Sequence, residues 1–192
     1  MTQTAPDVHT APDRSAADPT RTVLTAALVV GPVLSLAADT TYALRGWDSP
    51  TAGVVHVLGA IAYAAVVLRV AAWLPGTRLA AALLVTALAG MAGNVAYGFE
   101  AIHASLGDVA LVDQAGAANL IKPLGLFFPL SLALVAVALW RLGRRWEPVL
   151  LVLAVVAWPV AHIGDVAVVA VPVNVALVVL FGSLVLRRPG RD

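Results

Sequence analysis

Between Pro148 and Leu186 the only charged residue is Asp165. At about 1.5 Å of rise per residue, one helix of that length would be nearly twice the ~30 Å hydrocarbon core of a bilayer. A helix in water buries one apolar stripe and wets the opposite face, and this stretch has no wet face. Lipid must therefore be its solvent. His162-Ile163-Gly164-Asp165 is the polar break, so the stretch reads as two spans, 148–163 and 167–186. Four further apolar runs precede them, at 22–44, 52–74, 78–103 and 117–140. The expected fold is all-α: a polytopic transmembrane helical bundle of six spans in a domain covering 22–188. Composition agrees, because 60% hydrophobic and 12% charged residues leave too little charge to cover a soluble surface.

The flanking charges predict an orientation, since cytoplasmic loops are enriched in Lys and Arg. With six spans and the N-terminus inside, inner segments hold Arg14, Arg21, Arg69, Arg78, Arg141, Arg144, Arg145, Arg187, Arg188 and Arg191. The outer side keeps Arg45 and Lys122. Five spans would put the 141–145 and 187–191 clusters on opposite sides. Both termini are thus expected in the cytoplasm (N-in/C-in). The dominance of Arg over Lys, with abundant Ala, Val, Leu and Gly, points to a high-GC bacterial genome, hence a multi-pass protein of the bacterial cell membrane. Trp73, Trp140 and Trp146 on the inner side, and Tyr42 and Trp47 on the outer, read as interfacial anchors. Residues 1–21, polar and carrying Pro6, Pro12 and Pro19, are expected to form a disordered cytoplasmic tail, and 189–192 a short second one. A lone Arg21 before a long apolar run makes a poor cleavable signal, so the first span should be retained. Pro32, Pro123, Pro129, Pro159 and Pro172 fall within spans, where each removes a backbone donor.

This topology carries polar side chains of several spans to one depth. Asp39, His56, Asn94, Tyr97, Glu100, His103, Lys122, His162 and Asp165 all fall near the outer boundary, with Asn119 and Asn174 as neutral additions. A charge at mid-membrane costs about 2.5–3.5 kcal/mol on insertion scales, so such groups face the bundle interior and pair. Glu100 with Lys122 is the expected ion pair, and Asp39 with Arg45 or His56 the next. Gly90, Gly93, Asn94, Tyr97, Glu100 and Ala104 recur at helical spacing, giving the third span a small and polar face. These nine residues, from Asp39 to Asp165, are the candidate ligand-binding set.

The chain has no cysteine, which excludes disulfides, thiolate metal sites, iron–sulfur clusters and covalent c-type haem. His56, His103 and His162 are ligand types for a metal, but no pair stands at metal-binding spacing on a helix, so neither a metal nor another cofactor is expected. Phosphate-binding glycine loops and serine-nucleophile motifs are absent. A net charge of +1 and the lack of a basic, aromatic surface exclude nucleic acid as a partner.

The segments G-N-V-A-Y-G-F-E-A-I-H (93–103), D-Q-A-G-A-A (113–118) and A-L-W-R (138–141) resemble uncharacterised small multi-pass membrane proteins of actinobacteria. The resemblance implies a compact helical bundle and transfers no catalytic residue. Small bacterial membrane terpene cyclases share the size and the helical build, by analogy alone.

Two functional readings follow from the polar layer. In the first, an outward-side layer holds a small or lipidic ligand in a non-enzymatic, accessory or transport-related bundle; a channel or transporter of this size would form homo-oligomers. In the second, the protein is an enzyme acting on a lipid or isoprenoid, with Glu100 or Asp39 as proton donor, His103 or His56 as relay, and Tyr97 shaping the pocket.

Overall fold

Asp18, Ser49 and Thr77 each turn an apolar run into a helix with a defined start. Their side-chain oxygens accept from the backbone N–H of Thr20, Ala52 and Ala80, groups a helix leaves unpaired at its N-terminus. Pro19 and Pro50 follow two of these caps, at the first helical position, where proline loses nothing. The computed structural model describes residues 18–186. Its helices are α1 (Pro19–Arg45), α2 (Pro50–Ala71), α3 (Arg78–Ala104), α4 (Ile121–Arg141), α5 (Trp146–His162) and α6 (Ala167–Leu186). Two 3₁₀ turns, Leu111–Asp113 and Gly116–Leu120, lie between α3 and α4. The tail expected at 1–21 is shortened by this start, because Asp18 caps α1 and residues 19–21 belong to it; residues 1–17 and the 189–192 tail lie outside the described residues. Helix α4 begins four residues later than the span predicted from 117, so Pro123 falls in a first turn and breaks no helical bond.

Successive helices are antiparallel neighbours, joined by short connections except for the longer 105–120 segment between α3 and α4. Helix α1 packs on α2, α2 on α3, α3 on α4, α4 on α5 and α5 on α6, and α6 returns to α1. The result is a closed ring of helices around a common axis. Glycines draw two of these seams together. A Cβ on Gly53 would lie 2.5 Å from the Gly98 carbonyl oxygen, and one on Gly93 would lie 2.5 Å from the Leu124 carbonyl carbon. Only small residues permit such backbone approach between helices.

One end of the ring carries the connections 46–49, 105–120 and 163–166 (the His162 end), and the other carries 72–77 and 142–145 (the Arg144 end). Tyr63, Val66, Leu83, Leu132, Val135, Leu139, Leu151, Leu177, Leu180 and Phe181 fill the axis in the middle and toward the Arg144 end. Tyr63 meets Phe128 and Phe181 edge-on. Large apolar side chains such as Val85, Leu88, Val156 and Val179 are exposed on the outside. An apolar exterior over an apolar core suits lipid rather than water. Five of the helices are long and apolar enough to cross a membrane, and α5 is a shorter apolar helix of 17 residues. The chain is a membrane protein of all-α helical-bundle architecture.

Tyr42 departs from its expected role as an interfacial anchor. It is 1% exposed and packs with Ala38, Ala52 and Ala101 inside the bundle, its ring 5.0 Å from that of Trp47.

Candidate functional site

Helix α5 is the shortest wall of the ring, and its end brings His162 to the level of side chains that lie deeper on α1, α2 and α6. Asp39 sits about 9 Å below the end of α1, His56 about 9 Å below the start of α2, and Asn174 about 10 Å below the start of α6. His162 Nε2 is 3.1 Å from Asp39 Oδ2. Asn174 donates its amide N–H to the same carboxylate oxygen and also to the Ala170 carbonyl. The His162 ring is stacked on Trp158 one turn back, with centroids 4.5 Å apart.

Backbone geometry places one proton of this cluster. Nδ1 of His162 lies 3.2 Å from the Trp158 carbonyl, which can only accept, so Nδ1 carries hydrogen. Nε2 therefore faces Asp39 with one further proton to share. That proton makes the pair either imidazolium and carboxylate or imidazole and carboxylic acid. The Asn174 N–H on the same oxygen favours the carboxylate, which accepts both donors. The pair is buried, with side-chain exposures of 9% and 3%.

A second cluster stands beside it. Asn94 donates from Nδ2 to the Gly90 carbonyl at 2.9 Å, which turns its Oδ1 toward His56 Nε2 at 3.1 Å. Asn94 and Asn174 each anchor the amide nitrogen on the carbonyl four residues back; Asn94 then offers its Oδ1 across the ring, and Asn174 its second N–H.

Two cavities meet at these clusters. The inner one, about 20 Å³, lies on the axis and is lined from all the helices, by Ser35 and Asp39, His56 and Tyr63, Asn94, Phe128, Trp158 and His162, and Asn174. That is room for a water molecule. Tyr63 Oη is buried on this lining without a hydrogen-bond partner among the described residues. The outer cavity, about 450 Å³, lies between α3, α4 and α5 toward the His162 end. Asn94, Tyr97, Ile121, Gly125, Trp158 and His162 form its walls, His56 reaches it from α2, Val112 and Asp113 roof it, and Lys122 and Asp165 stand on its exposed rim.

The predicted site residues divide accordingly. Asp39, His56, Asn94 and His162 converge on the axis, and Tyr97, Lys122 and Asp165 join through the outer cavity. Glu100 and His103 line neither. The expected Glu100–Lys122 ion pair is not formed. Glu100 Oε1 instead accepts from the Val112 N–H at 3.4 Å, and its Oε2 is buried without a partner among the described residues, because the 3₁₀ turn at 111–113 folds over the end of α3. Lys122 stays exposed, since its position opens onto the cavity rim. Asp39 is paired with His162 and Asn174, not with Arg45 or His56, because α5 ends beside it while Arg45 reaches solvent. His103 faces outward, 3.6 Å from Asp108.

Trp158, Tyr63 and Phe128 are cavity residues that the pattern of polar side chains along the chain does not single out. Trp158 carried a usable signal, standing one helical turn before His162. Glu147, at the Arg144 end, is a buried acid that the outer-layer reading missed; it is 1% exposed and 3.4 Å from Arg144 Nη1. Among the described residues no three His, Asp or Glu side chains gather closely enough to hold a metal ion. In comparisons with known proteins, no protein-family model, no curated protein and no solved structure matches this chain.

Proposed function

We propose that the protein binds a small amphipathic or lipidic molecule in the outer cavity, with the ligand's polar end against His56 and His162 and its apolar part between α4 and α5. The observation that carries this reading is a cavity of about 450 Å³, within the range of small-molecule sites, that ends on two hydrogen-bonded polar clusters. Its apolar walls, Ile121, Leu126, Trp158 and Ile163, complement an apolar body. Toward the Arg144 end the axis is closed by Leu132, Leu177, Leu180 and Phe181. A polar path through the bundle would need a gap there, so the packing supports binding from one side over conduction.

The charges support six spans with the His162 end outward. The Arg144 end carries Arg21, Arg69, Arg78, Arg141, Arg144 and Arg145, and the His162 end carries Arg45 and Lys122. Helix α5, about 25 Å long, fills one place in the closed ring and serves as the sixth span.

Gly125 offers the direct test. A Cβ there meets nothing within 4 Å, so a large side chain enters the cavity without a clash. Purified protein should carry a co-purifying amphiphile, read by native mass spectrometry, and Gly125→Phe should release it while the fold persists. The same molecule retained at the same occupancy in Gly125→Phe would count against the cavity as its site.

The shared proton of Asp39 and His162 favours one alternative, an enzyme performing acid–base chemistry on the bound lipid or isoprenoid. In that case Asp39→Asn should leave the molecule bound and stop its conversion. Conversion at the normal rate in that variant would exclude the pair as the acid.

A further inference from the structure

Two rings that line the outer cavity, His56 and Tyr97, carry one free acceptor and one free donor. Asn94 is anchored by its N–H on the Gly90 carbonyl, so only its Oδ1 can face His56. His56 must then hold its hydrogen on Nε2 to donate it. In the neutral ring the other nitrogen, Nδ1, is a bare lone pair, and it has no protein partner among the described residues. The tilted ring of Tyr97 lies with its centroid 6.3 Å from that of His56, and its phenolic O–H is also without a partner among the described residues. Both residues line the cavity.

A hydroxyl answers both groups at once, donating to Nδ1 and accepting from the phenol. An ether or a ketone can only accept, and would leave Nδ1 facing a second acceptor. A carboxylate would meet the same lone pair without a donor. We propose that the ligand of this cavity is a lipidic alcohol whose single hydroxyl is held between His56 Nδ1 and Tyr97 Oη. This deepens the binding reading above and rests on it.

The test uses the full chain in phosphatidylcholine nanodiscs, whose lipid headgroups carry no hydroxyl. Thermal unfolding is followed with added 1-dodecanol or farnesol, and with the methyl ether of each. Either alcohol should raise the midpoint at concentrations about tenfold lower than its ether, the factor that one lost hydrogen bond of about 1.4 kcal/mol carries. Tyr97→Phe should keep the unliganded midpoint, because that hydroxyl bonds to no other described residue, and should weaken the alcohol response by a similar factor. Selective ¹⁵N spectra of the His56 ring should show the Nε2–H tautomer, with Nδ1 moving when alcohol is added. Alcohols and ethers acting equally, and both suppressed by Gly125→Phe, would leave the cavity as a binding site and overturn the hydroxyl. Alcohol responses that survive Gly125→Phe would place the binding elsewhere and overturn both readings. No response to either alcohol, or an Nδ1 signal that stays put as the midpoint rises, would also overturn the proposal.

Discussion

His162 Nε2 stands 3.1 Å from Asp39 Oδ2 and joins α5 to α1, two helices that α6 separates in the ring. Asn174 on α6 completes the bridge by donating to the same oxygen. Three helices thus depend on one carboxylate.

Removing that carboxylate leaves an imidazole and an amide buried without their acceptor. Asp39→Ala is expected to destabilise the bundle by about 3 kcal/mol, the scale for breaking a buried pair from one side. The double variant Asp39→Leu with His162→Leu should recover part of that loss, because neither charge remains. Unfolding in detergent would measure both, and equal stability of Asp39→Ala and the native chain would sink the pairing.

Two glycines on facing helices should respond with opposite sign. Gly93→Ala forces a Cβ to within 2.5 Å of the α4 backbone, while Gly125→Ala meets open space. The first should lower the unfolding midpoint. The second should raise it, by up to about 1 kcal/mol of stability, since alanine orders more readily in a helix. A destabilising Gly125→Ala would mean that α4 lies closer to its neighbours than the cavity allows.

Asp165 adopts φ of 55°, the left-handed region that disfavours most side chains, in the turn between α5 and α6. Its carbonyl accepts from the Trp47 indole N–H at 3.3 Å, tying that turn to the α1–α2 connection. Asp165→Gly should preserve stability or raise it slightly, and Asp165→Val should lower it by about 1–2 kcal/mol. Equal midpoints for the two variants would contradict the backbone conformation.

Glu100 is expected to matter for the roof of the cavity and not for its contents. Glu100→Ala removes the acceptor of the Val112 N–H, so amide exchange at 111–113 should accelerate. Ligand occupancy should change little, because Glu100 lines neither cavity. A variant that loses the ligand and keeps the slow exchange would restore Glu100 as a binding residue.

The orientation is testable in a chain without cysteine. Single cysteines at Asp113 and at Arg145 should label from opposite faces of the membrane with an impermeant thiol reagent, Asp113 from outside. Arg145 serves better than Gly143, whose φ of 80° a cysteine would strain. Labelling from the same face would remove both the span count and the outward site.

The helices were legible in the one-dimensional pattern because each is a local event. An apolar run long enough to cross a bilayer core closes its backbone hydrogen bonds as a helix, and at α1 and α2 an Asp or Ser cap followed by proline marks the start. The depth of Asp39, His56 and Asn94 followed from counting residues along those helices. The partners did not follow. Glu100 and Lys122 looked paired because α3 and α4 are consecutive, yet the connection between them folds a 3₁₀ turn over Glu100 and leaves Lys122 at the rim. Asp39 finds His162 across 123 positions only because α6 closes the ring on α1 and α5 stops short. Periodicity along the chain decides what a helix is. Which side chains meet across the axis depends on the rotation and length of every helix in the ring, and those are set by packing between distant segments.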